Sequence, residues 1–364
     1  MLKIVVYVSG HGYGHAIRIA EVLSKLKIQH PASKVYIRTT APHSIFTGSG
    51  TPQVQIHNVS VDTGVAESND ALSIDSQTSL EQVESLARRS DSIIENEVKF
   101  LRRVGADVIV SDIPFLAGDI AHAFGVACVA VGNFTWDWIY DPYIEEHPQF
   151  APLRDFVRRG YRRMEALLQL PFGHEVSCIS RVVAVPLIAR LAQRDPEDVL
   201  RHLGISAKGR PIVFLGMRTA PRRALVEAMA ADCPEFLFLS LQEPVPDAPE
   251  NLQQVVLGHQ VGFPDVLRAS GIVVSKLGYG IVADCIANQT GLLWPARRGF
   301  REDQLLRPGV AQYLQSSEFP LPDYERGSWG EYLRRVMDAP RPDRPMPCNG
   351  AEVCADLIAK QVSP

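Results

Sequence analysis

The sequence predicts an α/β protein of two halves, each a parallel, doubly wound sheet. Three observations carry this. Short Val-, Ile- and Leu-rich runs recur along the chain, separated by stretches with apolar residues at helical spacing. Two of the runs open directly into glycine turns, near residues 9–14 and 275–280. The strand-helix alternation restarts around residue 184 in the same order, though not with the same sequence, and such alternation is the pattern of parallel sheets. The expected units are residues 1–183, residues 184–345, and a terminal helical segment at 346–364.

Residues 2–8 have the length and β-branched content of a buried strand. Ser9-Gly10-His11-Gly12-Tyr13-Gly14-His15 follows, and then Ile19, Ala20, Val22, Leu23 and Leu26 recur as on one helix face. Three glycines in five positions let the backbone approach a ligand, and the helix behind them offers free N–H groups to an anion. Glycines at 10, 12 and 14 do not have the dinucleotide spacing, and no Gly-Lys-Ser/Thr closes the turn as in a nucleotide-hydrolase loop. His11 and His15 share this turn, and histidine changes charge near neutral pH. The plain alternative is a tight turn with two surface histidines.

Strands are expected at 34–39 and 54–61, and an amphipathic helix over 73–101 from Leu80, Val83, Leu86, Ile93, Ile94 and Val98. Residues 106–112 read as a buried strand delivering Asp112 at its carboxyl end, the edge where open α/β sheets bind ligands. A helix at 116–124 and a strand at 127–131 lead to Phe134, Trp136, Trp138 and Tyr140. Such a run either packs one helix or holds a sugar face or apolar acceptor. In the second half, a strand ending at Pro186 and a charged helix at 194–203 precede strands at 212–216, 236–240, 255–258, 271–275 and 291–295. A Pro-rich loop at 340–347 leads to a terminal helix at 351–362.

The chain of 364 residues has room for two domains. A hydrophobic content of 46% with 21% charged residues is that of a soluble globular protein. A formal net charge of -4 and a pI near 6.2 argue against a general nucleic-acid binder. No apolar stretch approaches the roughly 20 residues that span a bilayer, and no signal peptide is expected, since none is visible ahead of the first strand. Cys128, Cys178, Cys233, Cys285, Cys348 and Cys354 lack metal-ligand spacing, so a reduced, cytoplasmic protein is expected.

The second glycine turn, Ser275-Lys276-Leu277-Gly278-Tyr279-Gly280, again stands between a strand and a helix. Backbone N–H groups from Gly278 onward suit a diphosphate, Lys276 adds a point charge, and Asp284 lies one turn on, where a carboxylate can take ribose hydroxyls. After the next strand, Glu302-Asp303-Gln304 supplies carboxylates and an amide suited to sugar hydroxyls. Taken alone, that run equally reads as a solvated loop.

With these motifs the chain resembles the GT-B glycosyltransferases, particularly the murein-precursor N-acetylglucosaminyltransferases and the UDP-sugar-dependent transferases. Gly12-Tyr13-Gly14-His15 is similar to their first loop, Ser275 to Asp284 to their donor segment, and Glu302 to Gln304 to their sugar motif. The likeness is greatest to the glycosyltransferase-like N-terminal region of the plant L-arabinokinases, through residues 9–23, 110–112, 132–140, 185–187 and 276–280. No Gly-Leu-Gly-Ser-Ser phosphate loop occurs, so the likeness does not extend to arabinose phosphorylation. The resemblance implies two Rossmann-like domains facing across a cleft, with the terminal helix crossing back to the first.

It further implies transfer of a sugar from a nucleotide sugar, favouring UDP, to a hydroxyl acceptor. His15 is then the general base and Asp112 its orienting partner. Donor contacts are expected from Gly216, Arg218, Gly262, Phe263, Ser275, Lys276, Leu277, Gly278, Tyr279, Gly280, Asp284, Glu302, Asp303 and Gln304. Acceptor contacts are expected from His11, Gly12, Gly14, Arg18, Phe134, Trp136, Asp137 and Trp138. Two departures stand out: Gly216-Met217-Arg218 replaces the usual Gly-Gly-Ser, and Arg18 stands where the murein enzymes have proline. Without an Asp-x-Asp, no metal or other cofactor is expected and the mechanism reads as metal-independent and inverting. Rival readings are a non-catalytic nucleotide-sugar-binding module and a nucleotide-sugar 2-epimerase on the same fold.

Overall fold

The computed structural model describes residues 1–47, 54–68, 72–217, 223–241 and 249–361. In chain order, the strands of the first half are β1 (Lys3–Val8), β2 (Lys34–Thr39), β3 (Val54–Asn58), the two-residue β4 (Ala66–Glu67) and β5 (Ile74–Asp75), β6 (Val108–Asp112), β7 (Cys128–Gly132), β8 (Ala166–Gln169) and β9 (Val182–Ala184). Those of the second half are β10 (Ile212–Leu215), β11 (Leu237–Ser240), β12 (Leu252–Gln254), β13 (Ile272–Val274), β14 (Gly291–Pro295) and β15 (Ser316–Phe319). Among the described residues, one sheet has the order β3-β2-β1-β6-β7-β8-β9 and the other β12-β11-β10-β13-β14-β15, with every pairing parallel. β4 and β5 form a small antiparallel pair outside both sheets.

Both sheets are doubly wound, as the alternation of apolar runs predicts. β1 is apolar on both faces because helices cover both. Val5 and Tyr7 enter one core layer with Leu80, Val83 and Ile109, while Ile4, Val6 and Val8 enter the other with Ile19 and Leu23. The helix Ser76–Val104 covers the first face; Asp75 caps its start by accepting from Thr78 N at 2.9 Å, and Gly105 ends it at a φ of 66°. That helix buries Glu97, whose carboxylate receives the Arg38 guanidinium and the Tyr7 hydroxyl. A charge so placed is tolerated because it is both paired and hydrogen-bonded.

In each sheet the strand order reverses between the first strand and its later neighbour, which opens a crevice at the carboxyl edge. The β1–β6 register sets Val8 beside Asp112, and Ser9 N donates to Asp112 O at 2.9 Å. In the second sheet Gly216 N donates to Val274 O at 2.9 Å, so the chain leaves β10 beside the end of β13.

Two differences between the sequence boundaries and the structure bear on the domain layout and the second sheet. Residue 184 lies inside β9, the edge strand of the first sheet, so the crossing to the second sheet runs from 185 to 211. The run at 255–258 is not a strand: pairing ends at Gln254, and Val255 is buried while Val256 is 73% exposed. β12 is an edge strand with two glutamines, and its weak apolar signal shifts the reading onto the adjacent Val-Val-Leu.

The return crossing pairs with the outward one. Leu187 N donates to Pro347 O and Gly350 N to Leu187 O, both at 3.0 Å. The terminal helix Gly350–Lys360 then packs on the first-domain helix Gly14–Gln29, where Cys354, Ala355 and Ile358 join the layer of Ile19 and Leu23. Lys25 and Glu352 close its rim at 2.7 Å. Among the described residues no helix is long and apolar enough to cross a membrane.

Candidate active site

β1 ends in the first glycine turn, where Gly12 has a φ of 72°, a conformation that favours glycine. The turn feeds the helix beginning at Gly14, and its first turn carries His15 and Arg18 inward, 8% and 4% exposed. β6 delivers Asp112, fully buried, between them. Arg18 Nε donates to Asp112 Oδ2 at 2.6 Å and Nη2 donates to Oδ1, while His15 Nδ1 lies 2.8 Å from Oδ1. Burial alone would raise the Asp112 pKa, but Arg18 first and His15 second hold it below the ordinary carboxylate range. An ionised carboxylate only accepts, so a hydrogen bond from His15 to Asp112 places a proton on Nδ1, and in that tautomer of the neutral ring the lone pair is on Nε2.

The second domain closes over this group. Asn133, the first residue beyond β7, accepts from Arg18 Nη1 at 3.1 Å and donates through Nδ2 to Glu302 Oε1 at 2.8 Å. Burial raises the Glu302 pKa, opposed by Arg297 and by the Asn133 hydrogen bond. Arg297 forks Asp303 with contacts of 2.5 and 2.9 Å. Tyr279, at the start of the helix Tyr279–Asn288, lays its ring 5.5 Å from the Arg18 guanidinium. The two helix starts meet directly: a side chain on Gly280 would lie 3.7 Å from the Gly14 Cα. Two positive dipole ends thus converge on one point of the cleft.

Lys276 reaches from the second domain to Glu67 of β4, at 2.8 and 3.1 Å. His11 Nε2 lies 3.7 Å from the same carboxylate. Burial lowers the His11 pKa to about 4, with Glu67 opposing the shift, so His11 is neutral at physiological pH.

The aromatic run wraps the histidines. Phe134 meets His15 edge-on at 6.0 Å, and Trp136 meets His11 edge-on at 5.7 Å. The Trp136 indole donates to Asp62 Oδ2 at 3.1 Å and its ring stacks on Tyr140. Trp138 instead stacks on His174 at 4.6 Å under Arg301. Asp137 turns toward Arg158, which donates to it at 3.1 Å.

Several donor candidates lie elsewhere. Asp284 is 2% exposed, and both its oxygens accept from Arg190, through the backbone N–H at 2.8 Å and the guanidinium at 2.9 and 2.5 Å. That carboxylate thus ties the interdomain crossing to the second domain. Leu277 is core, and Phe263 packs between Phe214 and the Arg190 guanidinium. Gly262 N donates to Asp265 at 2.9 Å, Ser275 donates weakly to Gly216 O at 3.4 Å, and Gln304 is exposed. Arg218 lies outside the described residues.

Sequence reasoning missed Asn133, Glu67, Asp62 and Arg297 as site residues. Asn133 was accessible from its place just past a strand's carboxyl end, the rule that found Asp112. Glu67 carries no local signal, since its role comes from a partner 209 residues away.

No family model matches the chain. It is 29% identical over 357 residues to L-arabinokinase of Arabidopsis thaliana, an alignment covering 97% of this chain and 34% of that protein. The chain thus spans about a third of the length of the curated relative it matches. Among solved structures, the glycotransferase of kitacinnamycin matches with a TM-score of 0.63 at 14% identity, covering 100% of both chains. Phytolacca americana UGT2, complexed with UDP-2-fluoro-glucose and pterostilbene, matches with a TM-score of 0.61 at 13% identity, covering 100% of this chain and 94% of the other. At such identities the likeness is one of fold, and that fold is GT-B.

Proposed function

We propose that the protein transfers a sugar from a nucleotide sugar to a hydroxyl acceptor. The observation that carries the reading is the His15–Asp112 contact of 2.8 Å at the sheet edge, beside the converging helix starts. Nε2 of His15 takes the acceptor hydroxyl proton as the oxygen attacks the anomeric carbon, and Asp112 steadies the imidazolium. The bond to the nucleoside diphosphate breaks on the opposite face, so the product is inverted. Backbone N–H groups from Gly278 to Ile281 and the Lys276 ammonium receive the departing charge, and no metal ion is needed for that step. The UDP in the UGT2 complex favours a UDP-sugar as donor. Glu302, Asp303 and Arg297 stand on the side of the transferred sugar and His11 on that of the acceptor, whereas Phe134 and Trp136, 2% and 0% exposed, back the two histidines rather than touch the acceptor as the sequence suggested.

One observation favours binding without turnover. The Arg18 guanidinium neutralises Asp112 and lies 2.9 Å from His15 Nδ1, which weakens the stabilisation of an imidazolium. Under that reading the same cleft holds a nucleotide sugar but moves no proton.

Both readings place the diphosphate where Glu67 now sits on Lys276. UDP must displace that carboxylate, so Glu67→Gln is expected to bind UDP about fivefold more tightly, the scale of a partly exposed ion pair. Calorimetric titration of parent and variant measures it. Weaker binding by the variant would place the diphosphate elsewhere, and no nucleotide binding by either would remove the donor site.

A further inference from the structure

The acid-base pair of the first domain is wired to the second by one unbroken run of hydrogen bonds. Glu302 Oε1 accepts from Asn133 Nδ2 at 2.8 Å, and Asn133 Oδ1 accepts from Arg18 Nη1 at 3.1 Å. Arg18 Nε donates to Asp112 Oδ2 at 2.6 Å, and Asp112 Oδ1 accepts from His15 Nδ1 at 2.8 Å. His15, at 8%, is the most exposed member. In this run only the Asn133–Glu302 bond crosses the cleft.

We propose that Asn133 and Glu302 are positioning residues for His15, so that the base is correctly set only while the second domain is closed over the first. The proposal rests on the assignment of His15 as base, and its logic is that of an amide. Asn133 has one accepting and one donating end, and Arg18 can only donate. Glu302 accepts from Nδ2 and thereby forces Oδ1 toward Arg18. When Glu302 withdraws, Asn133 Nδ2 loses its acceptor, and the amide is no longer held in the place from which Oδ1 anchors Arg18 Nη1. Arg18 then loses its lateral anchor along with the Tyr279 ring that flanks it. Asp112 no longer meets a fixed fork, and as its carboxylate turns from His15 the acceptor that holds the proton on Nδ1 is lost, so the Nε2–H form becomes populated. A histidine protonated on Nε2 cannot accept the acceptor proton there. Acceptor activation is thereby confined to the closed cleft, where the donor is already enclosed.

The test reads the histidine directly. In protein labelled with nitrogen-15 in its histidines, and with His15→Ala to assign the resonance, wild-type His15 is expected as the Nδ1–H form. Asn133→Leu and Glu302→Leu are each expected to introduce the Nε2–H form. With a turned-over donor, Asn133→Leu is expected to lower kcat about tenfold with KM for donor within about twofold, and the double variant to lose no more than the worse single one. Glu302→Gln keeps a carbonyl oxygen for Asn133 Nδ2 and is expected to retain the wild-type His15 signal, which guards against a folding defect in the leucine variants. An unchanged His15 signal in both leucine variants, or kcat losses that add, would overturn the proposal. The nitrogen signal is read without substrate, so a wild-type protein showing no transfer would remove the transferase reading while this measurement still decides the relay.

Discussion

His15→Ala is expected to lower turnover by about 10²–10⁴-fold, the range contributed by a positioned general base. Nucleotide binding is expected to change little, because His15 lies on the first domain and its ring contacts are Phe134 and Trp136 rather than the Tyr279 helix. Its Nδ1 is held by Asp112, so the alanine variant removes the group that takes the proton and leaves the donor side standing. Product formation from a nucleotide sugar measures the loss. Turnover within a few-fold of the parent would take the base away from His15, and the best remaining reading would be the binding one favoured by Arg18.

Asp112→Ala is expected to destabilise the fold by about 3–5 kcal/mol, a large part of the stability of an ordinary domain. Asp112 is fully buried and is the shared counter-ion of Arg18 and His15. Removing it strands a guanidinium that is 4% exposed, with Asn133 Oδ1 as its neutral acceptor. That is a buried, uncompensated charge. Urea unfolding checks this through a lowered midpoint with an unchanged slope. A loss below about 1 kcal/mol would mean that water reaches Arg18 in the folded protein. Arg18→Met in the Asp112→Ala background is expected to recover much of the stability, because the stranded charge is then gone.

The fold was legible where residues repeat a strong pattern. β1, β6 and β7 are apolar on both faces, and the glycine turns after β1 and β13 sit where strands must give way to helices. Edge strands were less legible, because two of the three residues of β12 are glutamines and it contributes little apolar surface. Within the site, Asp112 was readable from its place at a strand's carboxyl end. The pairing that defines its surroundings was not, since Arg18 and Asp112 are 94 residues apart and meet only through the β1–β6 neighbourhood. Asp284 illustrates the opposite case: its position one turn into a helix is a local fact, but its partner Arg190 comes from the interdomain crossing, which leaves no mark near residue 284.

The central claim, sugar transfer to a hydroxyl, is tested most directly by following the release of nucleoside diphosphate from UDP-sugars in the presence of a chelator, with and without a panel of phenolic, alcoholic and sugar acceptors. The account predicts acceptor-dependent release that persists under chelation and disappears in His15→Ala. Conversion of the donor to an epimer without any acceptor, or donor binding with no conversion under any condition, would contradict it.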